Sequence, residues 1–83
     1  MATAGGTQTE LVLFELRRRG ELGLTPLQAL RDIGTMRLAA RISDAKLLIA
    51  PDEVIVTERD TVNGKTFARY VLRRREGQVS LWR

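Results

Sequence analysis

The stretch Thr25-Pro26-Leu27-Gln28-Ala29-Leu30-Arg31-Asp32-Ile33-Gly34-Thr35-Met36-Arg37-Leu38-Ala39-Ala40-Arg41-Ile42 decides the fold. Its first four residues spell a capping box with proline at the first helical position. The Thr25 hydroxyl takes an orphan N–H, the Gln28 side chain reaches back, and Pro26 lacks a donor that would have no partner there. Leu27, Leu30 and Ile33 recur at three-residue spacing and predict one apolar stripe. Gly34 ends this helix, and Thr35 is placed to cap another at once. That helix is expected from Met36 to about Leu48, with Leu38, Ile42 and Ala45 on its inner face. Two helices separated by little more than Gly34 must cross at a large angle. This is the geometry of a helix-turn-helix, whose second helix enters the major groove.

Upstream, Thr7-Gln8-Thr9-Glu10 is a further capping-box pattern, followed by Leu11, Val12, Leu13, Phe14 and Leu16. Arg17, Arg18 and Arg19 load the last turn, where cations complement the helix dipole, and Gly20 suits the stop. These signals predict a helix from Gln8 to Arg19. Leu22-Gly23-Leu24 reads as a strand stub. Downstream, Pro51-Asp52 breaks the helical pattern, and Glu53 to Thr61 is β-branched, with Val54, Ile55, Val56 and Thr57. Asn63-Gly64 is the strongest short hairpin signal, because both turn residues need positive φ. Thr66 to Leu72 forms the return strand. The predicted architecture is α+β: a winged helix-turn-helix of three helices followed by a two-stranded hairpin wing. The domain is expected over 7–72, after a small, glycine-containing and disordered 1–6, and before a basic C-terminal extension, 73–83.

With 83 residues, one domain is expected. No apolar run approaches the roughly 20 residues of a membrane span, and Met1 to Gly6 does not read as a signal peptide. Cysteine and histidine are both absent, which removes disulfides, thiolate or imidazole metal ligation and the commonest general base. Asp44, Asp52 and Glu53 form no acid/base or metal-ligand constellation, so neither catalysis, a cofactor nor a small-molecule substrate is expected. A cytoplasmic setting, including association with the nucleoid, is the simplest expectation. The net charge is +4, with 14 Lys and Arg against 10 Asp and Glu. Arginine dominates, which suits bidentate contact to phosphates and guanine edges and also fits a GC-rich genome. Arg73, Arg74, Arg75 and Arg83 against Glu76 place most of that excess in the extension.

Thr25-Pro26-Leu27-Gln28-Ala29-Leu30, Ile33-Gly34, Met36-Arg37-Leu38-Ala39-Ala40-Arg41-Ile42 and the closing Ala68-Arg69-Tyr70-Val71-Leu72 together resemble a family of small helix-turn-helix domains from phages and prophages. The resemblance covers about residues 8–72. The chain departs from it at Leu48-Ile49-Ala50-Pro51, where members place a glycine and an aromatic, and in the extension after Leu72. The resemblance implies a winged helix, DNA binding and a phage or prophage setting. It implies little about the target site.

On a helical wheel, Met36, Ala40, Ser43 and Leu47 lie opposite the inner face of the third helix, with Arg37 and Asp44 beside them. Arg37 is expected to reach a base edge or phosphate, Thr35 or Ser43 to bond a phosphate, and Ala40 to admit close backbone approach. Arg41 falls on a shoulder, either as a backbone clamp or as an ion-pair partner of Asp32 or Asp44. On the wing, Arg59, Asn63, Lys65 and Arg69 are candidates for tracking the backbone or minor groove. Arg73, Arg74 and Arg75 are a candidate basic run along phosphates.

Two functions fit. The first is a phage or prophage transcriptional regulator that occupies double-stranded DNA, as a homodimer on a palindrome, with Leu11 to Leu16 or Val79 to Trp82 as the dimer surface. The second is a protein-interaction module that uses the same scaffold to bind a host or phage protein. Asp44 and Leu47 on the outer face favour it.

Overall fold

The structure, a computed structural model, describes residues 7–75. Three helices precede one hairpin: α1 (Gln8–Arg19), α2 (Pro26–Asp32), α3 (Leu38–Ala45), β1 (Glu53–Val62) and β2 (Lys65–Arg74), with a single 3-10 turn, Gly20–Leu22, after α1. The chain is therefore α+β, in an order compatible with a winged-helix layout. The expectations for residues 1–6 and for Val79 to Trp82 lie outside the described residues.

Two of the three predicted caps form: at Thr7, where only the hydroxyl half of the predicted box closes, and at Thr25. Thr7 Oγ1 accepts the Glu10 N–H at 3.1 Å. At α2 both halves of the box close: the Gln28 N–H donates to Thr25 Oγ1 at 3.2 Å and the Thr25 N–H to Gln28 Oε1 at 3.1 Å. The predicted stripe on α2 is not its inner face, however. Ala29 is buried and Ile33 packs against the core, whereas Leu27 is 73% exposed and Leu30 44%. Ala29 and Ile33 are four residues apart and share one side. Leu27, two residues from Ala29, lies on the far side.

The link between α2 and α3 is Ile33–Arg37, longer than Gly34 alone. Thr35 does not cap α3. Its hydroxyl accepts the Arg37 N–H at 3.2 Å, a local turn that keeps Arg37 (φ −125°, ψ 55°) out of the helix. α3 also ends early. Leu47 N–H donates to Asp44 O and Leu48 N–H to Ala45 O, tightening the exit to three-residue spacing. The chain then turns so that Ile49 reaches the core.

β1 and β2 pair antiparallel from Glu53↔Arg74 to Val62↔Lys65. Asn63 (φ 52°) and Gly64 (φ 79°) make the two-residue turn that matches the strand twist. The predicted stub reduces to Leu24, which exchanges two backbone hydrogen bonds of 2.9 Å with Tyr70. Gly23 makes this possible. A Cβ there would lie 2.8 Å from the Tyr70 carbonyl and 2.7 Å from Arg69 Cγ, at φ 73°.

Val12, Leu13 and Leu16 of α1 and Leu38, Ile42 and Ala45 of α3 belong to one core with Leu24, Ala29 and Ile55, and α3 packs chiefly on α1. Ile55, Tyr70 and Leu72 share the sheet face turned to this core. β2 continues past Leu72, so Arg73 and Arg74 belong to the sheet rather than to an extension. No helix among the described residues is long and apolar enough to cross a membrane.

Candidate nucleic-acid interface

α3 turns Leu38, Ile42 and Ala45 inward, as the wheel predicts, and leaves its other side open. Ala39, Ser43, Asp44, Lys46 and Leu47 are exposed, Ala40 is half-buried, and Met36 and Arg37 stand exposed just before the first turn. Small side chains at 39, 40 and 43 let another molecule approach the helix backbone. With eight residues, α3 is about 12 Å long, two turns of contact surface.

The ion pairs sort the cations. Arg17 bonds Glu53 at 3.1 Å, Arg18 and Arg19 share Glu15 at 2.7 and 2.9 Å, and Arg19 and Arg31 share Asp32 at 2.8 Å each. Arg69 pairs with Asp60 at 2.9 Å, Arg73 with Glu21 and Glu58 at 3.0 and 2.9 Å, and Arg74 with Asp52 at 2.8 Å. Among the described residues, Arg37, Lys46, Arg59, Lys65 and Arg75 have no carboxylate partner, and Glu10 is the carboxylate without a cation. Among the described residues the positive excess therefore resides on five side chains, four of them at the ends of α3 or on the hairpin.

These pairs also set the acid–base state of the carboxylates. Hydrogen bonds from Arg18 hold Glu15 below its ordinary range, those from Arg73 do the same for Glu21, and those from Arg31 for Asp32. Glu53 is lowered first by the Ala50 N–H and then by Arg17.

On the wing, alternation puts Arg59 on the face that carries Ile55, Tyr70 and Leu72, the side of the helices, opposite the small Ala68. Arg59 is exposed there, past the end of the core. Asn63 and Lys65 are exposed at and beside the tip. From Tyr70 to that tip the hairpin projects about 20 Å.

Several candidates change role. Thr35 is 3% exposed, and its hydroxyl accepts the Arg37 N–H inside the turn; burial, not a lack of a free donor, keeps it from a phosphate. Arg69 donates to Asp60 and to the Glu21 carbonyl at 2.9 Å, stitching β2 to the 3-10 turn. Arg73 grips Glu21 through both Nε and Nη2 and reaches Glu58 on β1, across the Val56↔Val71 pair. Val71 beneath is fully buried. Arg74 is held by Asp52, and Arg75, at the hairpin base, lies away from the tip. Arg41 leans on Asp44 at 3.5 Å, not on Asp32, and its buried Nε has no partner. Lys46 and Ala39 join the open face although the wheel did not select them. Lys46 has no carboxylate three or four positions away along the chain, and that spacing is the signal by which the sequence could have found it.

No group of three or more metal-ligating side chains occurs among the described residues. No protein-family model matches this sequence, and neither the curated proteins nor the solved structures yield a match.

Proposed function

We propose that this protein binds double-stranded DNA, with α3 in the major groove and the hairpin along the backbone, and that it acts as a phage or prophage regulator by occupancy, without chemistry of its own. One observation carries the reading: of the five cations left over after internal pairing among the described residues, four, Arg37, Lys46, Arg59 and Lys65, lie on or beside α3 and the hairpin. Arg37 stands where α3 begins and supplies the base-edge or phosphate contact. Ser43 and Met36 flank it, Ala39 and Ala40 keep the surface close, and Asn63 and Lys65 extend the contact to the tip. The resemblance of Thr25–Ile42 to phage helix-turn-helix domains supports the same reading and its phage setting. A cytoplasmic location follows from it.

Fluorescence anisotropy on random duplexes tests this. Arg37→Ala and Arg59→Ala each weaken binding by about 1–3 kcal/mol without lowering the melting temperature. A loss of melting temperature with unchanged affinity assigns the residue to the fold.

A second reading, a protein-interaction module, is favoured by the groove of about 480 Å³ between α2 and the wing, where Pro26, Leu27 and Phe67 form an apolar wall. Leu27→Glu abolishes partner binding in that reading and leaves DNA affinity unchanged in the first.

A further inference from the structure

The outer side of α1 has no part in the surface described above. Val12, Leu13 and Leu16 face α3 and the core. At 100° per residue, Leu11 and Phe14 fall on the opposite side, three residues apart. Leu11 is 39% exposed and Phe14 61%, a large aromatic in the open. The charges along the helix are divided, with Glu10 in the first turn and Arg17, Arg18 and Arg19 in the last.

We infer that this face pairs with α1 of a second copy, antiparallel, about a two-fold axis beside Phe14. The antiparallel setting lays Glu10 of each helix against the Arg17–Arg18 end of the other and opposes the two helix dipoles. A parallel setting would stack like charges. With Leu11 as position a and Phe14 as d of a heptad, Val12, Leu13 and Leu16 fall at b, c and f, turned away from the seam; Glu10 and Arg17 occupy g, where interhelical ion pairs form, and Arg18, bonded to Glu15 at 2.7 Å, takes the next a position and ends the apolar seam after Phe14. The patch is thus self-complementary, as a two-fold interface requires. Glu10, without a cation among the described residues, comes to share Arg17, which within its own chain bonds Glu53 at 3.1 Å. A 12-residue helix is about 18 Å long, so the contact falls short of the roughly 1,200 Å² of a stable interface, and pairing is weak and concentration-dependent.

The consequence rests on the proposed DNA binding. α1 packs behind α3, so the two open α3 faces of the pair point in opposite directions. The pair holds two duplexes side by side instead of two half-sites of one palindrome.

Three measurements on the full chain test this: sedimentation equilibrium, anisotropy on a single duplex, and capture of a labelled duplex by protein on a bead-bound duplex. The wild-type chain shows a concentration-dependent dimer and captures the second duplex. Phe14→Lys, at an exposed position, weakens the dimer at least about tenfold and abolishes capture, yet keeps single-duplex affinity within about twofold. Glu10→Lys weakens the dimer without touching the apolar seam. A wild-type chain monomeric up to about 1 mM, or a dimer indifferent to Phe14→Lys, overturns the interface. A dimer that binds one duplex but captures no second overturns the bridging arrangement. A dimer that binds no duplex at all overturns bridging together with the DNA reading, while the interface stands on the sedimentation result.

Discussion

Arg59 and Arg69 sit on the two strands of one hairpin, and nothing in their side-chain chemistry distinguishes them. Their neighbours do. Arg69 has Asp60 and two main-chain carbonyls, of Glu21 and Leu22, within reach; Arg59 has Ala68 opposite it and no carboxylate partner among the described residues. Arg69→Ala should therefore lower the melting temperature, at a cost of about 1 kcal/mol since the group is partly exposed, and leave DNA affinity unchanged. Arg59→Ala should do the reverse; thermal melts alongside anisotropy separate the two. Gly23 gives a sharper test of the packing. Gly23→Ala forces a Cβ against the Tyr70 carbonyl at positive φ and should destabilise by about 2–3 kcal/mol, read from denaturant midpoints. An unchanged midpoint would mean that Leu24 does not pair with Tyr70.

The elements differ in how much of them could be read in advance. α1, the α2 start and the hairpin tip were legible, because each is specified locally: Thr7, the Thr25–Gln28 box and Asn63-Gly64 act on their own backbone. The inner face of α2 was not, because three-residue spacing fits a stripe that turns outward as well as one that turns inward. Only the neighbours choose Ala29 and Ile33 over Leu27 and Leu30. The limits of α3 differ from the sequence pattern for a similar reason. Thr35 has two competing acceptor roles, and bonding Arg37 N–H at close range wins over capping. Of the arginines that the sequence offers for DNA contact, Arg37 and Arg59 stand exposed without a carboxylate partner among the described residues, whereas Arg69, Arg73 and Arg74 are bonded to Asp60, Glu21, Glu58 and Asp52. Pairing over 9 to 52 positions is invisible without the fold. At this scale, Asn63→Val should unsettle the tip, which needs φ 52°, and cost about 1 kcal/mol or more. Loss of hairpin amide protection in hydrogen exchange would report it, with α1 and α3 unaffected.

Among the described residues, eight carboxylates pair with arginine, and four of the five unpaired cations lie on or beside α3 and the hairpin. Glu15, Glu21, Asp32 and Glu53 hold their protons less tightly folded than unfolded. Protonation therefore favours the unfolded chain: their contribution is present above the ordinary carboxylate range and is lost as pH falls below about 4.5. With no histidine, melting temperature should be flat between pH 6 and 8 and fall on acidification, a profile that differential scanning calorimetry measures directly. Unchanged melting down to pH 3 would show that the ion pairs contribute nothing. In the DNA-binding reading proposed above, the unpaired cations make the phosphate contacts. Anisotropy titration of a duplex at a series of salt concentrations measures how many of them neutralise phosphates. Four contacts, from Arg37, Lys46, Arg59 and Lys65, predict a log–log slope of about −3 to −4, falling by about one when Arg37 or Arg59 is removed. No binding at low salt, or a slope indifferent to both substitutions, would contradict the account.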